Sequence, residues 1–211
     1  MLADTHKHIS NNIYEMINDN YGIKLNRENL LWGSIAPDIL PQYKIHRHYQ
    51  NESINYIVNE IVKLIFICRY FDLKSKDDPI MMKYFSKKIG IISHYLSDYV
   101  CLPHAERWTF VNNMIKHISY ETKLNEYAKS YVFKNNTIKI DDIDIYQDKI
   151  INLKKLIKAY ILNVTDQYAL SKSFERDLDF AVSLNLKMTY FIIDTVAVYG
   201  EATSREFAFQ F

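Results

Sequence analysis

The sequence predicts an all-α protein, and three observations support that class. Apolar residues recur at helical spacing almost throughout the chain. Glycine and proline number only four each among 211 residues, which leaves little material for the tight turns of an all-β fold. No repeat and no low-complexity linker divides the chain. We therefore expect residues 1–211 to form a single domain of six to eight helices, with a metal site between helices.

Helix start and stop signals place the elements of the first two thirds. The expected helices are residues 5–20, closed by Tyr21-Gly22; 27–36, ending at Pro37-Asp38; 51–71, capped by Asn51-Glu52-Ser53; one from Asp77-Asp78-Pro79 to Pro103, with His104 following in a loop; and 108–133.

The last third is expected to begin with a break. Asn135-Asn136 and residues 137–140 are expected to form a polar break that includes a short extended piece. Two helices then follow, at residues 141–162 and 166–199.

Composition limits the classes of partner and compartment. The 26 basic and 25 acidic residues give a net charge of +1, so there is no electrostatic case for nucleic acid as a partner. Cys68 and Cys101 lie in apolar runs and are expected in the core, with thiolate metal ligation and a disulfide as the less favoured alternatives. No signal peptide and no apolar stretch of about 18 residues is evident, so a cytoplasmic location is the default expectation.

The most informative motif is a run of ionisable residues in the middle of the chain. It reads His94-x3-Asp98, then His104, then His117-x3-Glu121. Residues four apart on a helix share one face, so each pair can bind one ion. Imidazole nitrogen and carboxylate oxygen are ligands of catalytic zinc. The alternative is a set of surface histidines that form salt bridges with acids along helices.

Three upstream segments extend this motif. They are Thr5-His6-x-x-Ile9, the segment Trp32-Gly33-Ser34-Ile35-Ala36-Pro37-Asp38, and His48-Tyr49. Gly33 allows close backbone approach, and Pro37 restricts the backbone just before the carboxylate of Asp38. With these segments the chain resembles the bacterial zinc-dependent phospholipase C family, and more distantly the S1/P1 nucleases that share its all-helical fold. The resemblance covers residues 5–121.

The resemblance implies a set of metal ligands. Asp38, His48, His94 and Asp98 would hold one zinc ion, and His104, His117 and Glu121 a second. His6 and the bridging Asp98 would hold a third, completed in the family by the amino group and carbonyl of an N-terminal tryptophan. This chain begins with Met1 instead, so two Zn²⁺ ions are the expected count and the third stays open. Glu121 matches the phospholipases, since the nucleases tend to have Asp there.

Two further histidines compete with the assigned ones. Because positions i and i+2 of a helix point apart, only one of His6 and His8 can face the site, and the family pattern selects His6. The family's His-Tyr context selects His48 over His46. Arg47, between them, is either a phosphate contact or a solvent-facing side chain.

The implied reaction is hydrolysis of a phosphodiester, with Asp38 as the catalytic base. A phosphatidylcholine-like lipid would give diacylglycerol and the phosphorylated head group, with peripheral membrane contact. Two alternatives remain: a metal-dependent nuclease or phosphodiesterase, which a base-stacking pocket would favour, and a zinc-binding protein without activity, which a closed metal shell would favour.

Overall fold

The computed structural model describes residues 1–75, 77–143 and 150–208, and it is all-α, as predicted. In the described chain there are eight α-helices and one 3₁₀ turn at Pro41–Tyr43. The helices are α1 (Ala3–Tyr21), α2 (Arg27–Ile39), α3 (Gln50–Cys68), α4 (Pro79–Tyr99), α5 (Leu102–Ala105), α6 (Phe110–Ala128), α7 (Ile150–Tyr168) and α8 (Phe174–Ala208).

Helix α4 is the centre of the bundle. It packs against α1, α2, α3 and α8, and its second half is buried on nearly all sides. A single cluster of buried apolar side chains joins these helices to α7. Cys68 and Cys101 belong to this core as free thiols, which confirms their predicted role.

Helices α2 and α4 cross at two glycines. A Cβ atom on Gly33 would lie 2.2 Å from the carbonyl oxygen of Lys87, and one on Gly90 would lie 2.2 Å from that of Leu30. Real side chains do not approach backbone atoms so closely, so only glycine fits at either position. The close approach predicted for Gly33 is therefore confirmed, and its partner is Gly90.

Three predicted boundaries near the ligands and in the last third need correction. Helix α2 continues through Pro37 to Ile39, because a proline in the last turn removes only one intrahelical hydrogen bond. Helix α4 ends at Tyr99 rather than Pro103, and His104 lies in the one-turn helix α5 instead of a loop. Residues 141–143 are not helical, and 144–149 lie outside the described residues.

The break between the last two helices also lies later than predicted. Helix α7 extends to Tyr168, and α8 begins at Phe174. The Ser173 hydroxyl accepts a hydrogen bond from the backbone N–H of Arg176, which is the geometry of an N-terminal cap. The predicted start at Asp166 overlooked this serine.

The expectation that the chain contains no apolar stretch of about 18 residues is also wrong, because α8 contains one. Phe174–Glu201 is long and apolar enough to span a membrane by length and composition, but 72% of its apolar window is buried inside the protein. This burial is that of a core helix, against which α1, α3 and α4 pack.

Candidate metal centre

Asp98 lies at the centre of a cluster of histidines. Its Oδ1 atom is 3.4 Å from His6 Nε2 and 3.6 Å from His104 Nε2. Its Oδ2 atom is 3.0 Å from His48 Nδ1 and 3.4 Å from His94 Nε2. The carboxylate is almost completely buried at the end of α4. One acidic side chain thus faces histidines from four different segments of the chain.

The first group of donors joins α2, the loop before α3, and α4. Asp38 Oδ1 lies 3.5 Å from His48 Nδ1 and 3.6 Å from His94 Nε2. The other ring nitrogen of His94 donates a hydrogen bond to the carbonyl oxygen of Ser34 at 2.7 Å. This bond fixes the ring so that Nε2 faces the cluster, the arrangement typical of metal-binding histidines.

The second group lies between α5 and α6. Glu121 Oε1 is 3.0 Å from His117 Nε2 and 3.1 Å from His104 Nε2. His117 and Glu121 are one helical turn apart on α6, as their spacing predicts. The Nδ1 atom of His117 donates to the carbonyl oxygen of Trp108 at 2.9 Å, which orients this ring as Ser34 orients His94.

The amino group of Met1 lies between the two groups. It is 2.6 Å from Asp98 Oδ1, 2.9 Å from Glu121 Oε1 and 3.3 Å from His104 Nε2. Met1 itself is buried. The five residues before His6 therefore do reach the cluster, and they bring a further nitrogen to the position where the family resemblance expects one.

His6 provides the test of whether a metal fits. Its ring is buried and stacks on that of His94 with 4.0 Å between centroids, yet neither of its nitrogens has a hydrogen-bond partner in the described chain. A buried polar atom without a hydrogen bond is costly, so the ring of His6 fits the role of a metal donor. His8, two residues on, is not part of the cluster, and His46 stacks on Tyr56 at its edge.

Three groups of donor atoms have the composition of zinc sites. Within each group the donor atoms lie within 4.8 Å of one another: His6, His94 and Asp98; Asp38, His48 and His94; His104, His117 and Glu121. Together these contain all eight residues assigned from the sequence. Nitrogen and oxygen donors in threes are the ligands that zinc takes in catalytic sites.

The protonation states of four of the donors suit a cation, whereas at His48 and His117 burial is outweighed by hydrogen bonds to Asp98 and to Glu121, which raise the pKa of both rings. Burial lowers the pKa of His94 and of His104 below the ordinary value, so both rings are neutral at pH 7. Burial opposes ionisation of Asp98 and Glu121, yet the nearby histidines and the Met1 amino group hold the pKa of both carboxyls well below their usual range. Neutral imidazole and ionised carboxylate are the forms that bind a metal.

A cleft of about 750 Å³ gives access to the cluster. Six of the assigned ligand residues line this cleft: Asp38, His48, Asp98, His104, His117 and Glu121. Basic and aromatic residues also line the cleft: Lys44, His46, Arg47 and Tyr49. Six of the eight donors therefore line an open cleft, and His6 and His94 are buried.

Asp177 accepts hydrogen bonds from the segments that carry the second group of donors, and the sequence analysis did not identify it. Its carboxylate is buried on α8 and accepts hydrogen bonds from the backbone N–H of Leu102 at 3.2 Å and from the hydroxyls of Tyr120 at 2.9 Å and Tyr168 at 2.6 Å. Leu102 lies two residues before His104, and Tyr120 precedes Glu121. The last third of the chain thus holds two ligand-bearing segments in place.

Removing the acceptors of Asp177 should destabilise the fold. Asp177→Leu leaves one buried and two partly buried donors unpaired and is expected to cost about 3 kcal/mol of unfolding free energy, with a smaller loss for Asp177→Asn. Denaturant unfolding measures both. Equal stability of Asp177→Leu and the parent chain would contradict this role.

The same residue predicts a pH dependence. Burial, opposed by the hydrogen bond from Tyr168, raises the pKa of Asp177 to about 6. A carboxyl whose pKa is higher in the folded state stabilises less as pH rises from about 4 to about 6. The stability difference between parent and Asp177→Asn should therefore shrink over this interval in urea titrations.

The fold and the site together define a helical metalloprotein with a hydrolase-type centre, in which imidazole and carboxylate donors lie beneath an open cleft. The sequence model for zinc-dependent phospholipase C matches residues 5–175. The chain belongs to the zinc-dependent phospholipase C family. No curated protein and no solved structure matches it.

Proposed function

We propose that this protein is a zinc-dependent phospholipase C that hydrolyses the phosphodiester of a glycerophospholipid, such as a phosphatidylcholine-like lipid, to diacylglycerol and the phosphorylated head group. One observation carries the proposal: eight donor side chains from five helices and a loop form three adjoining groups, and six of the eight line one cleft. The family match over residues 5–175 supports the phospholipid as the substrate class.

The ligand sets follow the three groups of donors. Asp38, His48, His94 and Asp98 would hold one ion; His104, His117 and Glu121 a second; His6, Asp98 and the Met1 amino group a third. Bound zinc supplies positive charge to the phosphate oxygens and lowers the pKa of water toward neutrality. Two ions remain the expected count, with the third dependent on the amino group.

Asp38 is the proposed catalytic base. Its carboxylate lines the cleft and is partly exposed, unlike that of Asp98. Burial, together with the charge of Asp98, raises the pKa of the Asp38 carboxyl. A carboxylate with a raised pKa accepts a proton more readily, so Asp38 can orient the attacking water and take its proton.

Two of the aromatic rings near the ligands that the structure describes already have a protein cation close to the ring centre. The guanidinium of Arg107 lies 5.1 Å from the ring centre of Tyr49, and the ammonium of Lys116 lies 3.8 Å from that of Trp108. Two others are buried in the core: Tyr95 and Tyr99. The side chain of Phe110 lies outside the described residues. We therefore expect little preference for choline over other head groups.

The test is release of phosphorylated head group from mixed micelles of phosphatidylcholine or phosphatidylglycerol. The protein should be zinc-loaded and carry no residues before Met1, because its amino group contacts Asp98. We expect chelator-sensitive release from both lipids, at rates within about tenfold of each other, the span that a contact worth 1.4 kcal/mol would give. Phosphorus NMR measures the product.

Absence of release from folded protein that holds two or more zinc ions would contradict the proposal. Cleavage of single-stranded nucleic acid by the same sample would then establish the nuclease alternative. Inactivity on both substrates would leave a zinc-binding protein without turnover.

A further inference from the structure

The segment that carries His48 is attached to the centre of the bundle by Tyr95. Residues 41–48 connect α2 to α3. Among the described residues, the backbone groups of this segment otherwise bond only to residues between 40 and 46. The hydroxyl of Tyr95 donates a hydrogen bond to the carbonyl oxygen of His46 at 3.1 Å and lies 3.4 Å from that of Tyr43. A side chain of α4 therefore holds the turn that leads to His48.

Tyr95 is itself fixed in the core. The residue is completely buried on α4, directly after His94. Burial, together with the nearby Tyr56 and Tyr99, raises the pKa of its hydroxyl, so the group stays protonated at neutral pH and is available as a donor. A buried donor that is held in one position also restricts the position of its acceptor.

Aromatic contacts hold the same turn. The rings of Tyr95 and His48 lie 5.1 Å apart at an angle of 67°, and those of Tyr95 and Tyr56 lie 5.6 Å apart at 69°. Tyr56 stacks in turn on His46, with 3.8 Å between the ring centres. Edge-on and stacked pairs at these distances are favourable. His46, the histidine that the family pattern did not select, thus packs against α3 and holds the turn from a second side.

His48 depends on this turn more than the other donors of its group do. The other three lie on helices, which set the direction of their side chains, whereas His48 lies in a loop. A backbone carbonyl orients the ring of His94, but no backbone hydrogen bond orients that of His48 in the part of the chain that the structure describes. Its Nδ1 atom nevertheless lies 3.0 Å from Asp98 and 3.5 Å from Asp38. The orientation of this ring therefore comes from the adjoining backbone and from the ring of Tyr95.

We infer that Tyr95 is a positioning residue for His48. Its hydroxyl fixes the carbonyl group two residues before His48, and its ring contacts the imidazole, so that Nδ1 is directed at Asp38 and Asp98. A donor held in place before an ion binds gives tighter binding, because less conformational freedom is lost on binding. The inference rests on the proposed function in one respect, the assignment of these donors to one zinc ion.

The zinc affinity of Tyr95→Phe tests the inference. This variant keeps the ring and removes only the hydroxyl. In competition with a chromophoric chelator, one of the two zinc ions should bind about tenfold more weakly than in the parent, the lower end of the effect expected when a group that orients a ligand is lost. The other ion should bind as in the parent. Affinities within about twofold of the parent at both sites would overturn the inference.

Tyr99→Phe is the matched control. Tyr99 lies one turn further along α4, is also buried, and pairs its hydroxyl with that of Ser53 rather than with the turn. Because both variants lose a buried hydroxyl, both should unfold at a lower denaturant concentration than the parent when zinc is absent. Only Tyr95→Phe should lose zinc affinity. An equal loss of affinity in Tyr99→Phe would assign the effect to general destabilisation and overturn the inference.

A double-mutant cycle with His48→Ala tests whether Tyr95 acts through His48. His48→Ala should weaken the same ion at least about tenfold. Adding Tyr95→Phe to that variant should change the zinc affinity no further, because the side chain that Tyr95 positions is gone. Losses that add in the double variant would show that Tyr95 acts elsewhere.

These measurements contain no lipid, so they are separate from the test of the proposed function. A protein that binds zinc with the expected dependence on Tyr95 but hydrolyses no lipid would support the positioning role and contradict only the phospholipase proposal. Lipid hydrolysis by the parent together with parent-like zinc affinity in Tyr95→Phe would overturn the positioning role alone.

Discussion

Asp98→Asn is expected to lower kcat/KM for phospholipid hydrolysis at least about a hundredfold. Asp98 contacts the Met1 amino group and faces four histidines, so its carboxylate is shared by two proposed zinc ions. An amide keeps the shape but lacks the charge and one oxygen acceptor. The variant should also bind fewer zinc ions per chain than the parent.

Kinetics on mixed micelles and metal content by mass spectrometry test this together. His117→Ala should give a loss of similar size, because it removes a donor from the second group. Asp19→Asn, an exposed change at the far end of α1, is the control and should leave both readouts unchanged. Parent-like turnover by either ligand variant would refute the site as assigned.

Gly90→Ala is expected to cost at least about 3 kcal/mol of unfolding free energy, which is at the severe end for one added methyl group. The new Cβ would lie 2.2 Å from the Leu30 carbonyl oxygen and 2.8 Å from the Ser34 backbone nitrogen. Backbone atoms cannot move aside as a flexible side chain can, so α2 and α4 would have to separate.

Chemical denaturation of Gly90→Ala against Gly22→Ala measures this effect. Gly22 has a φ of 66° and nothing within 4 Å of an added Cβ, so its replacement incurs only the backbone strain, about 1 to 2 kcal/mol. A loss in Gly90→Ala no larger than that in Gly22→Ala would mean that the helix crossing tolerates a side chain. Zinc binding should weaken in Gly90→Ala alone.

The sequence carried enough information to bring the ligand residues together because most of the signal is local. His94 with Asp98, and His117 with Glu121, are i,i+4 pairs, and any helix that contains such a pair places both side chains on one face. The resemblance to a family then linked these pairs to His6, Asp38 and His48. Whether the eight residues bind zinc as grouped stays a prediction.

The parts that could not be predicted depend on contacts between distant residues. Asp177 receives its hydrogen bonds from Leu102 and Tyr120, which are 75 and 57 positions away. Nothing beside Asp177 in the sequence marks it as buried, since it follows Glu175-Arg176 in what reads as a solvated helix start.

The crossing of Gly33 and Gly90 gives a criterion for recognising distant members of this family. Gly33 precedes Asp38 by five positions, and Gly90 precedes His94 by four. The direct contact between the two helix backbones therefore fixes the distance between the positions that carry Asp38 and His94. We expect any sequence that retains this donor pair to keep a residue without a side chain at both offsets. A search for the paired offsets should distinguish such sequences from chance occurrences of histidine and aspartate.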